Sequence, residues 1–260
     1  MNKVFAAIWA EYMKIRRSKI FFITLTVFSF IPMMVGLMMF VSKNPEIASK
    51  LGIIGTKSKM FSENDWKGYF ELLNQVIASI GLLGFGFVTS WVFGREHTDR
   101  TMKDILALPL DRNFIVLAKF VITFFWCIIL TAVTYSVGLL IGQVVSIPGW
   151  SASLFTGFSK TFFISGILTF FLCSPVAYLA GYSRGIIAPL GFVLLTMIFA
   201  QFAGLLGLGP YFPWAIPGLY SVNKDDPGFI LRLSSYIILT ITFIAGYWAT
   251  IYWWKNADHH

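Results

Sequence analysis

The amino-acid sequence predicts an all-α membrane protein with six transmembrane helices. Of its 260 residues, 57% are hydrophobic and only 12% are charged, about half the charged fraction of a typical soluble domain. Apolar runs of 18 or more residues recur, and each is long enough to cross a hydrocarbon core of about 30 Å as a helix. The sequence lacks the alternating segments of about ten residues that are typical of a transmembrane β-barrel.

Residues 1–19 are predicted to form an amphipathic helix that lies in the membrane interface. Apolar and aromatic residues, among them Phe5, Trp9 and Tyr12, recur at helical spacing, and basic residues occupy mostly other positions. A frayed basic terminus is the simpler alternative. A signal peptide fits less well, because the apolar run that follows is too long and has no small-residue cleavage site after it.

Six apolar runs are predicted to span the membrane, at about residues 20–41, 70–93, 117–144, 160–180, 186–206 and 234–254. Pro175 should kink the fourth span, because proline has no N–H for the carbonyl four residues earlier. Residues 207–220 carry three prolines yet are too apolar for an aqueous loop. They are predicted to form a re-entrant or interfacial hairpin, so residues 1–260 make a single transmembrane domain.

The distribution of basic residues predicts the orientation of the chain. With the N-terminus inside, 12 of the 20 Lys and Arg residues fall in short inner segments and eight in longer outer ones. This asymmetry favours a multi-pass membrane protein with both termini in the cytoplasm. It also explains the net charge of +8 without a nucleic-acid partner.

A dense charged stretch, GREHTDRTMKDILALPLDR at residues 94–112, separates the second and third spans. Four basic residues in it balance four acidic ones: Arg95, Arg100, Lys103 and Arg112 against Glu96, Asp99, Asp104 and Asp111. With Thr98 or Asp99 as the helix cap and Pro109 as the stop, the stretch predicts a short helix. Its charges favour a docking surface for another protein and a plain solvated connector about equally.

This stretch resembles the loop between the second and third spans of the type-2 ABC exporter permeases. It is most similar to the short six-span branch that includes bacitracin- and lantibiotic-resistance transporters. The family pattern is F-G-x-E-x-x-x-x-T-x-x-x-x-L-x-x-P-x-x-R. The matching residues here are Phe93, Gly94, Glu96, Thr101, Leu106, Pro109 and Arg112.

The resemblance implies that residues 95–112 contain a coupling helix that docks to a separate ATPase subunit. The residues expected to face the ATPase are Glu96, Asp99, Arg100, Thr101 and Asp104. Leu106 and Pro109 would shape the end of the helix, and Arg112 would anchor the third span. The resemblance further implies a bacterial plasma membrane, and two permease subunits, identical or sister chains, with two ATPase subunits. The partner would use the ATP, and this chain would hold no catalytic residue, metal or cofactor.

Polar residues within the spans are candidates for lining a translocation pathway. They are Glu71, Asn74 and Gln75 in the second span and Gln201 in the fifth. Such side chains usually face protein or a cavity, and interhelical hydrogen bonding is the simpler explanation for any one of them. The apolar and aromatic walls favour a hydrophobic or amphipathic substrate, such as a peptide antibiotic, and hence a role in resistance or immunity.

Three other functions compete with export. A channel or secondary carrier would work without an ATPase, but secondary carriers typically need an acidic residue at mid-membrane, and the predicted spans have none there. An intramembrane protease would need a Glu/His pair, or a Ser/His or Ser/Lys set, within the spans. The spans contain no His. A sensor that uses an ABC ATPase to signal, or to remove an antibiotic from its target, would share this sequence pattern.

Overall fold

The computed structural model describes residues 3–44, 65–102, 111–222 and 231–256. Within these ranges the regular elements are helices, and none of the residues lies in a β-strand. Six of the helical stretches are long and apolar enough to cross a membrane. The prediction of an all-α protein with six candidate spans is therefore confirmed.

Nine α-helices follow one another in the described part of the chain. They are α1 (Lys3–Arg16), α2 (Lys19–Lys43), α3 (Trp66–Thr98), α4 (Arg112–Val144), α5 (Ala152–Phe171), α6 (Cys173–Tyr182), α7 (Ile187–Leu205), α8 (Ile216–Ser221) and α9 (Leu233–Asn256). Each predicted span overlaps one long helix or, for the fourth span, the consecutive pair α5 and α6.

Side-chain caps set where two of the long helices begin. Asp65 Oδ1 accepts a hydrogen bond from the N–H of Gly68 at 2.9 Å, at the start of α3. Asp111 Oδ1 accepts one from the N–H of Asn113, also at 2.9 Å, at the start of α4. Because each carboxylate satisfies an amide that has no partner inside its helix, it favours a helix start at that position.

The predicted break in the fourth span lies at Leu172, between α5 and α6. The N–H of Leu172 bonds to the carbonyl of Thr169 at 3.2 Å, in a turn tighter than an α-helix. Pro175 accounts for the break, because it offers no N–H to the carbonyl of Phe171. The last helix packs directly against this place: a Cβ on Gly246 would lie 2.5 Å from the backbone N of Pro175.

The proline-rich segment 207–220 is not a straight helix. It contains two 3₁₀ turns, Gly209–Tyr211 and Pro213–Ala215, and most of α8. Proline interrupts the helical hydrogen-bond ladder and so accounts for the broken course of the backbone. The depth of this segment in a membrane stays a prediction.

The core lies between α3, α4 and α5–α6, and it is rich in aromatic rings. The rings of Phe70 and Phe158 stack with their centroids 4.0 Å apart, and Trp126 is buried where it contacts Trp91 edge to face. By contrast, α2, α7 and α9 bury few of their residues and expose many large apolar side chains. In a membrane these faces would meet lipid or another subunit.

Candidate functional site

Several elements meet at one end of the helix bundle, which we call the charged end. Glu96 near the end of α3 bonds to Lys14 of α1 and to Lys119 of α4. Arg112 at the start of α4 bonds to the backbone of Trp254 near the end of α9. The charged stretch between α3 and α4 therefore leaves and re-enters the bundle at this end.

Four charged side chains, Glu11, Lys14, Glu96 and Lys119, form what we call the buried cluster. Lys119 Nζ lies 2.6 Å from Glu96 Oε1 and 3.2 Å from Glu11 Oε2. Lys14 Nζ lies 2.5 Å from Glu11 Oε1 and 3.1 Å from Glu96 Oε1. Two positive charges thus balance two negative ones, and the cluster joins α1, α3 and α4.

Lys119 is the most deeply buried member of this cluster. Its side chain is 0% exposed, and its Nζ also donates to the carbonyl of Val92 at 2.8 Å. All three ammonium donors are therefore satisfied. A charge at this depth is tolerated only because it is paired and hydrogen-bonded, so the loss of one member would leave another without compensation.

The structure corrects the orientation expected for Glu96. The family resemblance implied that this residue faces the ATPase, but it is 1% exposed and its carboxylate points into the chain toward Lys119. Two ammonium groups stabilise the carboxylate there, and both come from segments remote in sequence. Glu96 therefore fixes the base of the charged stretch and is not available at its surface.

The residues directly after α3 do lie at the surface. Asp99, Arg100 and Thr101 are all exposed, and we call them the exposed turn. Arg100 has a φ of +58°, which reverses the chain sharply. Met102 is then already helical and buried. The exposed turn is therefore held between two anchored ends, with Glu96 before it and Met102 after it.

The helix start predicted at Thr98 or Asp99 is wrong. Both residues end α3, and the N–H of Asp99 bonds to the carbonyl of Arg95 at 2.7 Å. The long helix runs past the predicted end of the second span because each further turn adds a backbone hydrogen bond. Asp104, expected to face the ATPase, and Leu106 and Pro109, expected to shape the end of the helix, lie outside the described residues.

Gly94 of the family pattern allows a close backbone contact. A Cβ at this position would lie 2.8 Å from the carbonyl oxygen of Gly185, in the turn between α6 and α7. The neighbouring Phe93 is fully buried against Phe120. This pair of pattern residues therefore packs the end of α3 tightly and does not contact a partner.

Arg112 connects the start of α4 to the last turn of α9. Its Nη1 donates to the carbonyl oxygens of Trp254 at 2.9 Å and Lys255 at 2.8 Å. Carbonyls in the last turn of a helix have no partner within that helix, and a cation there is favourable. The family resemblance implied an anchor at this position, and the end of α9 is what Arg112 binds.

A cavity of about 550 Å³ lies between α3, α7 and the proline-rich segment. Gln75 and Gln201 both line it, so two of the four predicted pathway residues share one site. Glu71 and Asn74 do not line it. Asn74 is buried, and its Oδ1 has no hydrogen-bond partner among the described residues, whereas Glu71 is half-buried in α3.

The walls of this cavity are mixed in polarity. Besides the two glutamines, Ser79 contributes a hydroxyl, and Leu82, Met197 and Trp214 contribute apolar surface. The sequence did not predict that Trp214 lines this cavity. Trp214 lies in the proline-rich segment, which reaches the cavity only because its backbone does not continue α7 as a straight helix. A few polar groups within an apolar lining are typical of a site for an amphipathic small molecule.

Sequence reasoning also missed three members of the buried cluster: Glu11, Lys14 and Lys119. Lys119 offered a usable signal, because it stands inside the predicted span 117–144. A charged residue within a span usually has a partner in the protein. Which carboxylates pair with it depends on contacts between residues 23 and 108 positions apart, and no local pattern reveals these.

Comparison with known proteins supports this architecture. A family model described as "ABC-2 family transporter protein" matches residues 7–201. The bacitracin transport permease protein BCRB of Bacillus licheniformis is 26% identical over 185 residues, covering 71% of this chain and 88% of that protein. The range matched by the family includes the buried cluster, the exposed turn and both cavity glutamines. The chain therefore belongs to the ABC-2 transporter family and is a multi-pass membrane subunit of an ABC transporter.

Proposed function

We propose that this protein is the membrane subunit of an ATP-driven exporter and that the exposed turn docks to a separate ATPase subunit. The observation that carries this proposal is the position of the exposed turn. Asp99, Arg100 and Thr101 are accessible, and they begin three residues after Glu96, which is locked into the buried cluster. A partner bound to this turn would therefore be only a few residues along the chain from a side chain that is fixed in the interior of the bundle.

The buried cluster explains how movement of the turn would reach the spans. Glu96 is tied to α4 through Lys119 and to α1 through Lys14. A displacement imposed on the end of α3 is therefore shared with two other helices and is not absorbed by bending of the loop. Alternating exposure of a pathway needs such linked movement of helices between two states.

The same arrangement supports our proposal for the orientation and the assembly. The charged end lies in the cytoplasm, where ATP is available, and an even number of spans then places both termini on that side. The partner hydrolyses ATP, and this chain contributes the pathway. We propose two ATPase subunits and two permease subunits, with the exposed apolar faces of α2, α7 and α9 available for contact with lipid and with the second permease.

The cavity between α3 and α7 supports a hydrophobic or amphipathic substrate, such as a peptide antibiotic. Its apolar lining would cover the apolar part of such a molecule, and Gln75 and Gln201 would bond to its amides. The similarity to a protein whose name includes bacitracin transport supports the same class. Removal of the compound from the membrane would then give resistance or immunity.

The docking proposal is tested by co-purification of a tagged chain from its native host. The variant exchanges the charges of the exposed turn, Asp99→Arg with Arg100→Glu, so its net charge does not change. Arg184→Glu, which imposes a larger change of net charge at another exposed turn, is the control, because Arg184 is also exposed and has a similar φ of +52°. We expect the ATPase subunit to accompany the wild type and the control but to be lost from the double variant.

Three results would contradict this assignment. If the double variant retained the ATPase fully, the exposed turn would not be part of the docking surface. If no ATPase accompanied a folded wild-type chain in mild detergent, a channel or a carrier without an ATPase would explain the protein better. Equal loss from Arg184→Glu would show that docking does not depend on the exposed turn in particular.

The substrate class is tested by measuring ATP hydrolysis in the purified permease–ATPase complex with peptide antibiotics added. We expect stimulation in the wild type and a weaker response in Gln75→Leu with Gln201→Leu, because the cavity loses its amides. Gln143→Leu is the control, since this exposed glutamine of α4 lies outside the cavity. Absence of stimulation by any such peptide would remove this substrate class.

A further inference from the structure

A second cavity, of about 410 Å³, lies at the charged end between α1, the turn that follows it and the end of α3. Three basic side chains line it, and we call it the basic cavity. Its lining residues are Ala10, Met13, Lys14, Arg17, Ser18, Trp91 and Arg95. Neither the docking turn nor the pathway accounts for this convergence of cations.

The positive charge of the basic cavity is only partly compensated. Lys14 is held by the two carboxylates of the buried cluster. Arg95 stacks over the ring of Trp91 at 4.6 Å and has Asp99 only at 3.9 Å, with that carboxylate largely in solvent. Arg17 is exposed, and it forms no ion pair within the described ranges.

The charges around the cavity leave an excess of cations. Four cations, Lys14, Arg17, Arg95 and Lys119, face three carboxylates, Glu11, Glu96 and Asp99. The exposed Arg16 and Lys19 flank the cavity in the chain and raise the excess further. An anion that enters the cavity is therefore attracted from both sides of the turn between α1 and α2.

Apolar surface begins directly beside these cations. Phe22, one helical turn after Ser18 in α2, is 62% exposed, and Ile23 is 57% exposed. On α1, the rings of Trp9 and Tyr12 are also exposed. A ligand that fits both features carries an anionic head and long apolar chains.

We propose that the basic cavity binds the phosphate headgroup of an anionic phospholipid, with Arg17 and Arg95 as its ligands. The planar guanidinium group matches the geometry of phosphate oxygens and can donate two parallel hydrogen bonds. Basic pockets between helices at the cytoplasmic side of a membrane are suited to anionic headgroups. The acyl chains would lie along the exposed face of α2, which distinguishes a lipid from free phosphate.

A lipid in this cavity would also act on the buried cluster. Lys14 lines the cavity and at the same time bonds to Glu11 and Glu96. A phosphate near Lys14 would hold α1 against the end of α3. The connection between α1 and the charged stretch would then depend on the lipid composition of the membrane.

The test measures how much phosphatidylglycerol the detergent-purified full-length chain retains, by native mass spectrometry, with phosphatidylcholine and inorganic phosphate as separate probes. The variant is Arg17→Gln with Arg95→Gln. The control, Arg184→Gln with Lys255→Gln, removes the same charge from exposed positions that do not line the cavity. We expect the variant to bind phosphatidylglycerol about thirtyfold more weakly than wild type, with little change in the control.

Four results would overturn the proposal. Equal loss of phosphatidylglycerol from variant and control would indicate general attraction to the basic surface. Equal retention of phosphatidylcholine by the wild type would remove the headgroup preference. Displacement of the lipid by inorganic phosphate alone would indicate a site for free anions. If the double variant does not fold, Arg17→Gln alone, at an exposed side chain, should weaken binding about fivefold, and unchanged binding would equally refute the proposal.

Discussion

Lys119→Met removes the ammonium group at the centre of the buried cluster and leaves an apolar side chain of similar length. The change deletes three hydrogen bonds, to Glu96, Glu11 and the carbonyl of Val92. Both carboxylates would remain buried with Lys14 as their shared cation. Removal of one partner from a buried ion pair typically costs about 3–5 kcal/mol.

The lower end of that range applies here, because Lys14 still compensates one negative charge and its side chain is 29% exposed, so solvent reaches the edge of the cluster. We therefore expect a loss of about 3 kcal/mol in the free energy of unfolding, more than a hundredfold in the equilibrium constant. For a chain of this size the corresponding fall in melting temperature is roughly 6–12 °C.

Thermal unfolding in detergent, followed by fluorescence of the nine tryptophans, measures this effect. Lys255→Met is the control, because it removes an exposed lysine at the same end of the bundle and should change the melting temperature little. An unchanged melting temperature for Lys119→Met would show that the cluster contributes no stability and would refute the reasoning.

A double-mutant cycle separates the ion pair from loss of packing. Glu96→Gln removes the carboxylate that Lys119 contacts at 2.6 Å. In combination with Lys119→Met it should cost clearly less than the two single changes added together, because the uncompensated charge is gone. Strict additivity would mean that the two residues do not interact, whatever their separation.

Two further changes test the contacts of α9 with the start of α4 and with the break between α5 and α6. Arg112→Gln should lower the free energy of unfolding by about 1–3 kcal/mol through loss of its charge-assisted bonds to the end of α9. Faster hydrogen exchange in the last turn of α9, with α2 unchanged, would accompany it. Gly246→Ala should destabilise by about 1–3 kcal/mol, because its Cβ would meet backbone atoms within 2.6 Å. Gly157→Ala, with nothing within 4 Å, should be neutral or stabilising, and equal melting temperatures for the two glycine variants would contradict the packing argument.

The transmembrane spans could be predicted because few backbone structures are stable in lipid. A buried backbone must satisfy its own hydrogen bonds, so an apolar run of sufficient length becomes a helix whatever it packs against. The break near Pro175 follows from the same local rule. Only the ends of the helices escaped prediction: α3 continues to Thr98, because the charges after residue 93 did not stop the helix.

The sequence predicted where the charged stretch lies along the chain, but not which of its side chains are buried and which are exposed. The pattern around residues 93–112 pointed to this stretch of the chain, yet a pattern of residue types does not indicate which side chains turn inward. Glu96 and Asp99 are three positions apart, and one is buried while the other is largely exposed. The difference arises from Lys119 and Lys14, whose approach depends on how α1 and α4 pack against α3.

Stability alone does not explain why ion pairs connect α1, α3 and α4. Well-packed apolar side chains of similar volume are often as stable as a buried ion pair or more so. Apolar surfaces, however, can shift along one another at small cost. The three donors of Lys119, by contrast, find their acceptors only when the helices occupy one relative position. A subunit that must transmit a displacement from a surface turn to its spans needs helices whose relative position is fixed in this way. We therefore propose that these ion pairs serve to couple the exposed turn to the spans more than to stabilise the fold.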